Sequence, residues 1–346
     1  MAEVEYYDGT KLLSMTDING NKPEIYICVG NRTGGKTVYF NRLCVNRFRK
    51  TGAKFGLLYR YNYELDDVAD KFFKVLKQLF FPGSEMESER RANGKYHELF
   101  LDGEPCGYAM ALNDSNQIKK YSHLFSDIDS LVFDEFQSED NKYLSDEIKR
   151  LLSVHTSIAR GNGKQVRYVP LYMISNCVSI INPYFTELGI APRLKEGCNF
   201  LRGEGFVLEQ AFIETASRAQ QESAFNRAFS RNNYVEFAAQ NVYLNDSVAF
   251  VDKPGGKSRY ICTIRYNGKD YAIREYQQSG VLYCDDSADE SFSTRIAVTT
   301  DDHNVNYVVL KRNEVMISTL RYFFNRGCFR FKDLACKEAL MRLVSY

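Results

Sequence analysis

The chain lacks any apolar run approaching the roughly 20 residues that a helical membrane span requires. Its opening, Met1-Ala2-Glu3-Val4-Glu5, is acidic rather than the basic start of a secretory signal, so neither export nor anchoring is expected. The nine cysteines include no C-x-x-C pair and the four histidines no H-E-x-x-H, so the usual zinc and dithiol spacings are missing. An odd, unpatterned cysteine set suits a reducing compartment in which thiols serve as small apolar residues. An excess of one charge is lacking as well. With 45 Lys and Arg against 44 Asp and Glu the net charge is +1, which excludes a surface coated in basic residues and confines nucleic-acid contact to local patches. Residues 41–60 form one such patch, with Arg42, Arg47, Arg49, Lys50, Lys54 and Arg60 and no acid; residues 311–346 form another, with eight basic residues against three acids. Each also reads as a solvated helix face. Residues 127–147 are acidic, which suits a metal site better than a DNA groove.

What the chain does contain is a complete phosphate loop. Residues 30–37 read Gly-Asn-Arg-Thr-Gly-Gly-Lys-Thr, a G-x-x-x-x-G-K-[ST] motif that follows the apolar run Ile25-Tyr26-Ile27-Cys28-Val29 and precedes a predicted helix. Gly30, Asn31, Arg32, Thr33, Gly34 and Gly35 would wrap a polyphosphate with backbone N–H groups, since residues without Cβ permit close approach and positive φ. Lys36 would reach the β- and γ-phosphates and Thr37 would ligate Mg²⁺, with the helix N-terminus adding partial positive charge. A nucleoside triphosphate is the expected ligand. A guanine reader of the form N-K-x-D is missing: the nearest string, Asn21-Lys22-Pro23-Glu24, precedes the loop and ends in Glu.

The rest of the N-terminal part alternates. Strand 24–30, helix 36–50, strand 55–61 and helix 64–80 lead to the Phe81-Pro82-Gly83 break. A polar loop over 84–94 and a hairpin of 96–101 with 106–112 are expected next. Strand 130–133, helix 144–158 and strand 167–175 repeat the rhythm, as an α/β domain with a mainly parallel sheet requires. Segment 208–231 reads as polar helix. Beyond Lys253-Pro254-Gly255-Gly256-Lys257, strands 258–266, 270–277 and 280–284 turn at Asn267-Gly268 and Ser279-Gly280. A strand near 306–311 and a helix over 332–345 close the chain. These boundaries predict an ATPase domain over 1–200, a linker or lid over 201–254 and a C-terminal domain over 255–346.

Three further features carry chemistry. Strand Ser130-Leu131-Val132-Phe133 runs into Asp134-Glu135, where Asp134 suits a Mg²⁺ contact and Glu135 a base that polarises the attacking water. Strand Leu171-Tyr172-Met173-Ile174-Ser175 ends at Asn176, placed to sense the γ-phosphate; a plain strand-end turn is the other reading. Arg160, in the loop Ala159-Arg160-Gly161-Asn162-Gly163-Lys164, reads alone as a solvated residue, though a guanidinium on such a loop also suits a finger reaching a neighbouring subunit's triphosphate.

Together these residues resemble the DNA-packaging (encapsidation) ATPases of small tailed phages with protein-primed genomes, the phi-twenty-nine type of terminase-like motor. The likeness spans most of the chain. It includes the Arg within the phosphate loop, Tyr59-Arg60-Tyr61 followed by Glu64-Leu65, Val132-Phe133-Asp134-Glu135-Phe136 and Ser175-Asn176-Cys177-Val178-Ser179. It continues through Asn182-Pro183-Tyr184-Phe185, Tyr266-Asn267-Gly268, Thr299-Thr300-Asp301-Asp302 and Phe329-Arg330-Phe331. The resemblance implies a P-loop ATPase domain of the additional-strand, catalytic-Glu type and an RNase H-like C-terminal domain without nuclease function. It also implies a homomeric ring, usually a pentamer, on the portal of a procapsid, using ATP and Mg²⁺ to drive double-stranded DNA inward. Residence in the host cytoplasm with transient docking on the procapsid, absence from the mature virion, and a bridging packaging RNA in the best-known relative belong to the same picture. By position, Glu135 matches the base, Arg160 the trans-acting arginine and Asn176 the residue after the last sheet strand.

One strand supports the missing nuclease: none of Ser258-Arg259-Tyr260-Ile261-Cys262-Thr263-Ile264-Arg265 is a carboxylate, and two-metal cleavage needs several converging acids. One residue departs from the pattern. Where some relatives carry a second trans-acting basic residue this chain has Asn62, leaving Arg60 or a nearby Lys as replacements. A ring helicase or other translocase shares the same ATPase parts, and an NTP-binding regulatory switch is the alternative of another class.

Overall fold

The computed structural model describes residues 5–65, 68–160, 165–194, 198–229, 243, 249–309 and 314–345. Two compact units divide the chain: Met1–Gln137, Glu147–Cys177 and Arg193–Val242 make the first, and Ser138–Asp146, Val178–Pro192 and Tyr243–Tyr346 the second. Among the described residues no helix is long and apolar enough to cross a membrane.

In the first unit, helix α1 (Thr10–Ser14) precedes β1 (Ile25–Gly30), α2 (Lys36–Thr51), β2 (Lys54–Tyr59) and α3 (Val68–Phe80). The hairpin strands β3 (Met86–Arg91), β4 (Tyr96–Leu101) and β5 (Glu104–Ala111) follow, then α4 (Ser115–Lys120), β6 (Ile128–Asp134), α5 (Glu147–Ala159) and β7 (Leu171–Asn176). Helix α6 (Pro183–Glu187) lies in the second unit, and β8 (Phe200–Gly203), β9 (Phe206–Ala211), α7 (Glu214–Glu222) and α8 (Ala224–Ala228) return to the first. The nine-stranded sheet has the order β3-β4-β5-β2-β6-β7-β1-β9-β8. From β5 to β9 every neighbouring pair is parallel, while β3, β4 and β8 are antiparallel additions at the edges. Central strands covered on both faces read as unbroken apolar runs, as β1 and β7 do. Helix α2 ends where Gly52 turns left-handed at φ 73° and its N–H caps the Phe48 carbonyl, with Arg49 and Lys50 in the last turn complementing the dipole.

Two expectations are corrected here. Residues 86–91 are an edge strand within the expected 84–94 loop, paired with β4, because an outermost strand tolerates charge on both faces: Arg91 Nε donates to Glu98 Oε2 at 2.9 Å across the pair. Residues 208–211, the start of the segment expected as helix, belong to the strand Phe206–Ala211 beside β1; helix begins only at Glu214. The parallel sheet thus continues past residue 200, where the sequence reading ended the first domain. Residues 230 and 231 of the expected helix lie outside the described residues.

The second unit carries β10 (Arg259–Tyr266), β11 (Lys269–Tyr276), β12 (Val281–Asp285), β13 (Arg295–Ala297), β14 (Val308–Val309), α9 (Glu314–Asn325), β15 (Phe329–Phe331) and α10 (Leu334–Val344). Its six-stranded sheet runs β14-β13-β10-β11-β12-β15. The meander β10-β11-β12 matches the sequence reading, whereas β13, β15 and α9 were not foreseen. Ile317, Leu320 and Phe324 of α9 and Leu340, Met341 and Val344 of α10 close a core with Cys262, Ile264, Ile273 and Cys284. Two motifs of the resemblance meet in this unit: Asp302 accepts from Thr299 Oγ1 at 2.7 Å and from the N–H groups of Asn267 and Gly268 at 3.0 and 2.8 Å, tying the β10–β11 turn.

Candidate active site

Strand register brings the chemistry together. Gly30 stands opposite both Asn176 and Ala211, and Asp134 opposite Ile174, so β1, β6, β7 and β9 end side by side. Strand β7 lies between the phosphate-loop strand and the Asp134 strand. Ligands of open α/β sheets bind at this carboxyl edge.

The loop is held from three sides. At Gly30 an added Cβ would lie 2.2 Å from the Ala211 carbonyl oxygen, so the neighbouring backbone requires glycine there. The Asn31 side chain clamps the next segment in both directions, Nδ2 donating to Ile213 O and Ile213 N–H donating to Oδ1, each at 3.0 Å. From the N-terminus, Tyr7 N–H donates to Gly34 O at 2.8 Å while the Tyr7 hydroxyl donates to Glu209 Oε2 at 2.6 Å. Thr33 and Gly35 are left-handed, at φ 61° and 84°, a conformation that anion-binding turns of successive backbone N–H groups use.

Lys36 is buried and its Nζ donates to the Asn31 carbonyl at 2.6 Å; burial holds its pKa below the ordinary lysine value. Thr37 Oγ1 donates to Asp134 Oδ1 at 3.2 Å, and Glu135 N–H donates to the same oxygen at 3.0 Å. Burial and the neighbouring Glu135 charge push the Asp134 carboxyl up to about 6. A hydroxyl and a carboxylate within hydrogen-bond reach, beside a second carboxylate that repels the first, form the hard-oxygen donor set that a divalent cation such as Mg²⁺ prefers.

Glu135 is exposed and its backbone is left-handed, at φ 51°. Arg60, by contrast, points inward. Its Nε donates to Glu147 Oε1 and Oε2 at 3.1 and 3.0 Å, Nη1 to Glu135 O at 3.3 Å and Nη2 to Phe136 O at 2.6 Å. Buried in this way, Arg60 cannot serve as the trans-acting replacement at Asn62; instead Lys95 Nζ sits 3.1 Å from Asp114, the carboxylate to which Asn62 Nδ2 also donates. Elsewhere in the 41–60 basic run Arg42, Arg49 and Lys50 are exposed, Arg42 and Arg49 lying over the Phe80 and Phe81 rings, and Lys54 pairs with Asp127 at 2.7 Å.

Arg160 is exposed, in the turn directly after α5. Residues 161–164 of its loop lie outside the described residues. Arg167 pins the loop's far end, its N–H donating to Ala159 O at 2.8 Å and its Nη2 to Ile158 O at 2.9 Å. Asn176 is half-buried, and Ser175 Oγ donates to its carbonyl at 2.8 Å. The Asn31–Ile213 clamp and the Tyr7–Glu209 bond, whose partners lie 182 and 202 residues apart, leave no local spacing signal and were not legible in the sequence. The sequence reading also missed a groove of about 490 Å³ beside Thr33, lined by Tyr6, Thr215, Arg218 and Gln220.

Residues 1–345 match the family described as "Podovirus DNA encapsidation protein (Gp16)". The DNA packaging protein of Bacillus phage phi29 is 28% identical over 347 residues, covering 98% of this chain and 96% of that protein. That of Bacillus phage B103 is 26% identical over 326 residues, covering 92% and 94%. Among solved structures, the bacteriophage Phi-29 viral genome packaging motor assembly superposes with a TM-score of 0.55 at 23% identity, covering 98% of this chain and 99% of that one. The Phi-28 gp11 DNA packaging motor does so with 0.58 at 18%, covering 98% of each. Both share this fold. Matched by the family model over residues 1–345, the chain belongs to the podovirus DNA encapsidation protein family.

Proposed function

We propose that this chain is the ATPase of a phage DNA-packaging motor, acting as a homomeric ring, a pentamer by family resemblance, that drives double-stranded DNA through a portal into a procapsid. The observation that carries the reading is the common edge of β1, β6 and β7, which sets Lys36, Thr37, Asp134, Glu135 and Asn176 around one place in a chain of this family. ATP would bind with its phosphates along residues 30–37 and its base in the groove beside Tyr6. Lys36 would exchange the Asn31 carbonyl for phosphate oxygens, which compensate a buried ammonium better than a single carbonyl does. Thr37 and Asp134 would hold Mg²⁺, which when bound supplies charge neutralisation between the β- and γ-phosphates. Glu135 takes a proton from the attacking water, Asn176 orients it, and Arg160 of the next subunit stabilises charge developing on the γ-phosphate. DNA contacts are to phosphate, since a motor must ignore sequence, so binding weakens steeply with salt.

An RNase H-like fold for the second unit is supported by its strand order. An antiparallel meander, β12-β11-β10, is followed on the β10 side by the parallel strands β13 and β14. The buried Asp285 carboxylate is already neutralised by Arg274 at 3.3 Å and Lys253 at 3.6 Å, leaving it poorly suited to a metal. The host cytoplasm, with transient docking on the procapsid, is the matching location, and a packaging RNA is a further partner to test for.

ATP-dependent protection of DNA from nuclease by purified procapsids tests the reading. Lys36→Ala, Glu135→Gln and Arg160→Ala should each abolish protection, and normal packaging by all three would defeat the assignment. Mixing Arg160→Ala with Lys36→Ala subunits should restore part of the ATPase rate if the arginine acts across the ring, and none if it acts within its own chain.

A further inference from the structure

The Arg60 guanidinium is a buried charge placed to do more than fill space. Its side chain and that of Glu147 are 6% and 1% exposed, and two such ions leave water at a cost of several kcal/mol unless their hydrogen bonds are well satisfied. Arg60 satisfies that condition in two directions, toward the Glu147 carboxylate on one side and toward two consecutive main-chain carbonyls, Glu135 and Phe136, on the other. The Glu135 carbonyl belongs to the peptide on the C-terminal side of Glu135, one of the two whose orientation aims its side chain, and the Phe136 carbonyl to the peptide after it. Glu135 holds a left-handed backbone at φ 51°, a conformation that is unfavourable for a non-glycine residue and persists only where its surroundings support it. Arg60 holds the C-terminal side of that residue through the Glu135 carbonyl, while Asp134 Oδ1 accepts from the Glu135 N–H on the other side. Glu147 is the first residue of α5, and Ala159, the last, is followed by Arg160. One side chain therefore fixes both the peptide that presents Glu135 and the start of the helix that ends at the exposed arginine.

We infer that Arg60 is a positioning residue for hydrolysis, acting through the Glu135 backbone rather than on nucleotide. The inference rests on the reading of Glu135 as the base. Lysine keeps the charge but cannot span the carboxylate and both carbonyls at once. Arg60→Lys should therefore lower kcat for ATP by about 10- to 100-fold, the loss that a misplacement of about 1 Å brings, while KM and the Kd of a fluorescent ATP analogue stay within about threefold. Glu147→Gln, which keeps the acceptor oxygen and loses the charge, should lower kcat less, again with little change in KM. In a Glu135→Gln background, Arg60→Lys should cause no further loss of the residual rate measured at high enzyme concentration.

The outcomes separate cleanly. If Glu135→Gln keeps its turnover, the reading of the base fails. If Glu135→Gln is inactive and Arg60→Lys turns over normally, the inference alone fails. If Arg60→Lys and Glu147→Gln lose nucleotide binding or folding along with turnover, the pair is structural only and the inference is overturned.

Discussion

Glycine at position 30 is conventionally explained by the phosphate it approaches, but the structure supplies a reason that needs no nucleotide. A Cβ on Gly30 would stand 2.2 Å from Ala211 O, against a closest approach of about 3.0 Å for real side chains, so β1 and β9 would have to part by roughly 0.8 Å at their ends. Overpacking of this kind costs about 1–3 kcal/mol. The Asn31–Ile213 clamp lies one and two residues beyond the clash, and stretching its two hydrogen bonds adds about 1 kcal/mol each. Gly30→Ala should therefore destabilise the nucleotide-free protein by about 3–5 kcal/mol. The chain has no tryptophan, so urea unfolding is best followed by circular dichroism or tyrosine fluorescence. The expected result is a lower midpoint before any ATP is added, with weakened ATP binding as a secondary effect. An unchanged midpoint with only ATP affinity reduced would mean that the glycine serves the phosphates alone, and would refute the reasoning.

Asn31→Ala removes both bonds to Ile213, leaving a carbonyl and an N–H to find new partners at about 1–3 kcal/mol each, and hydrogen exchange at the Ile213 amide should accelerate. At position 135, Gly should be about 1 kcal/mol more stable than Ala because only glycine relaxes at positive φ; both lack turnover, and equal denaturation midpoints would count against the strain. Without Mg²⁺, the folded Asp134 carboxyl titrates near 6, above its usual range, so the folded state binds a proton that the unfolded chain has already released. Stability should therefore fall as pH rises from about 4 through 6, and Asp134→Asn should flatten that slope in a pH series of unfolding curves.

Much of the site was legible because its signals are local. Glycine spacing, the lysine and the threonine lie within eight residues, and Asp134-Glu135 ends an apolar run that can only be a covered strand. The hairpin was legible for the same reason: Asp102 and Gly103 are both left-handed, as a tight turn demands. Where composition was read without partners, the result differed. Arg60 was counted in a basic patch, yet its counter-ion stands 87 positions later at Glu147 and turns it into an interior residue. Met86–Arg91 carries almost no apolar side chains and became a strand only because β4 offered an open edge. The strands Arg295–Ala297 and Phe329–Phe331 are three residues long, too short to show an alternating pattern at all.

The interleaving of the two units carries a practical lesson for anyone who cuts this protein apart. Immediately after Glu135 the chain enters the second unit for residues Ser138–Asp146, and just past Asn176 it enters again for Val178–Pro192, before the long third visit from Tyr243. Ile181 and Ala191 from the middle excursion are buried with α9 and α10, and Lys337 Nζ donates to Ser179 Oγ at 2.8 Å. A chain halted at residue 242 would keep those two excursions and lose what covers them, presenting bare apolar side chains to water. No single peptide bond separates the halves, so recombination at one crossover point could not exchange the C-terminal unit for another without leaving fragments of the old one behind.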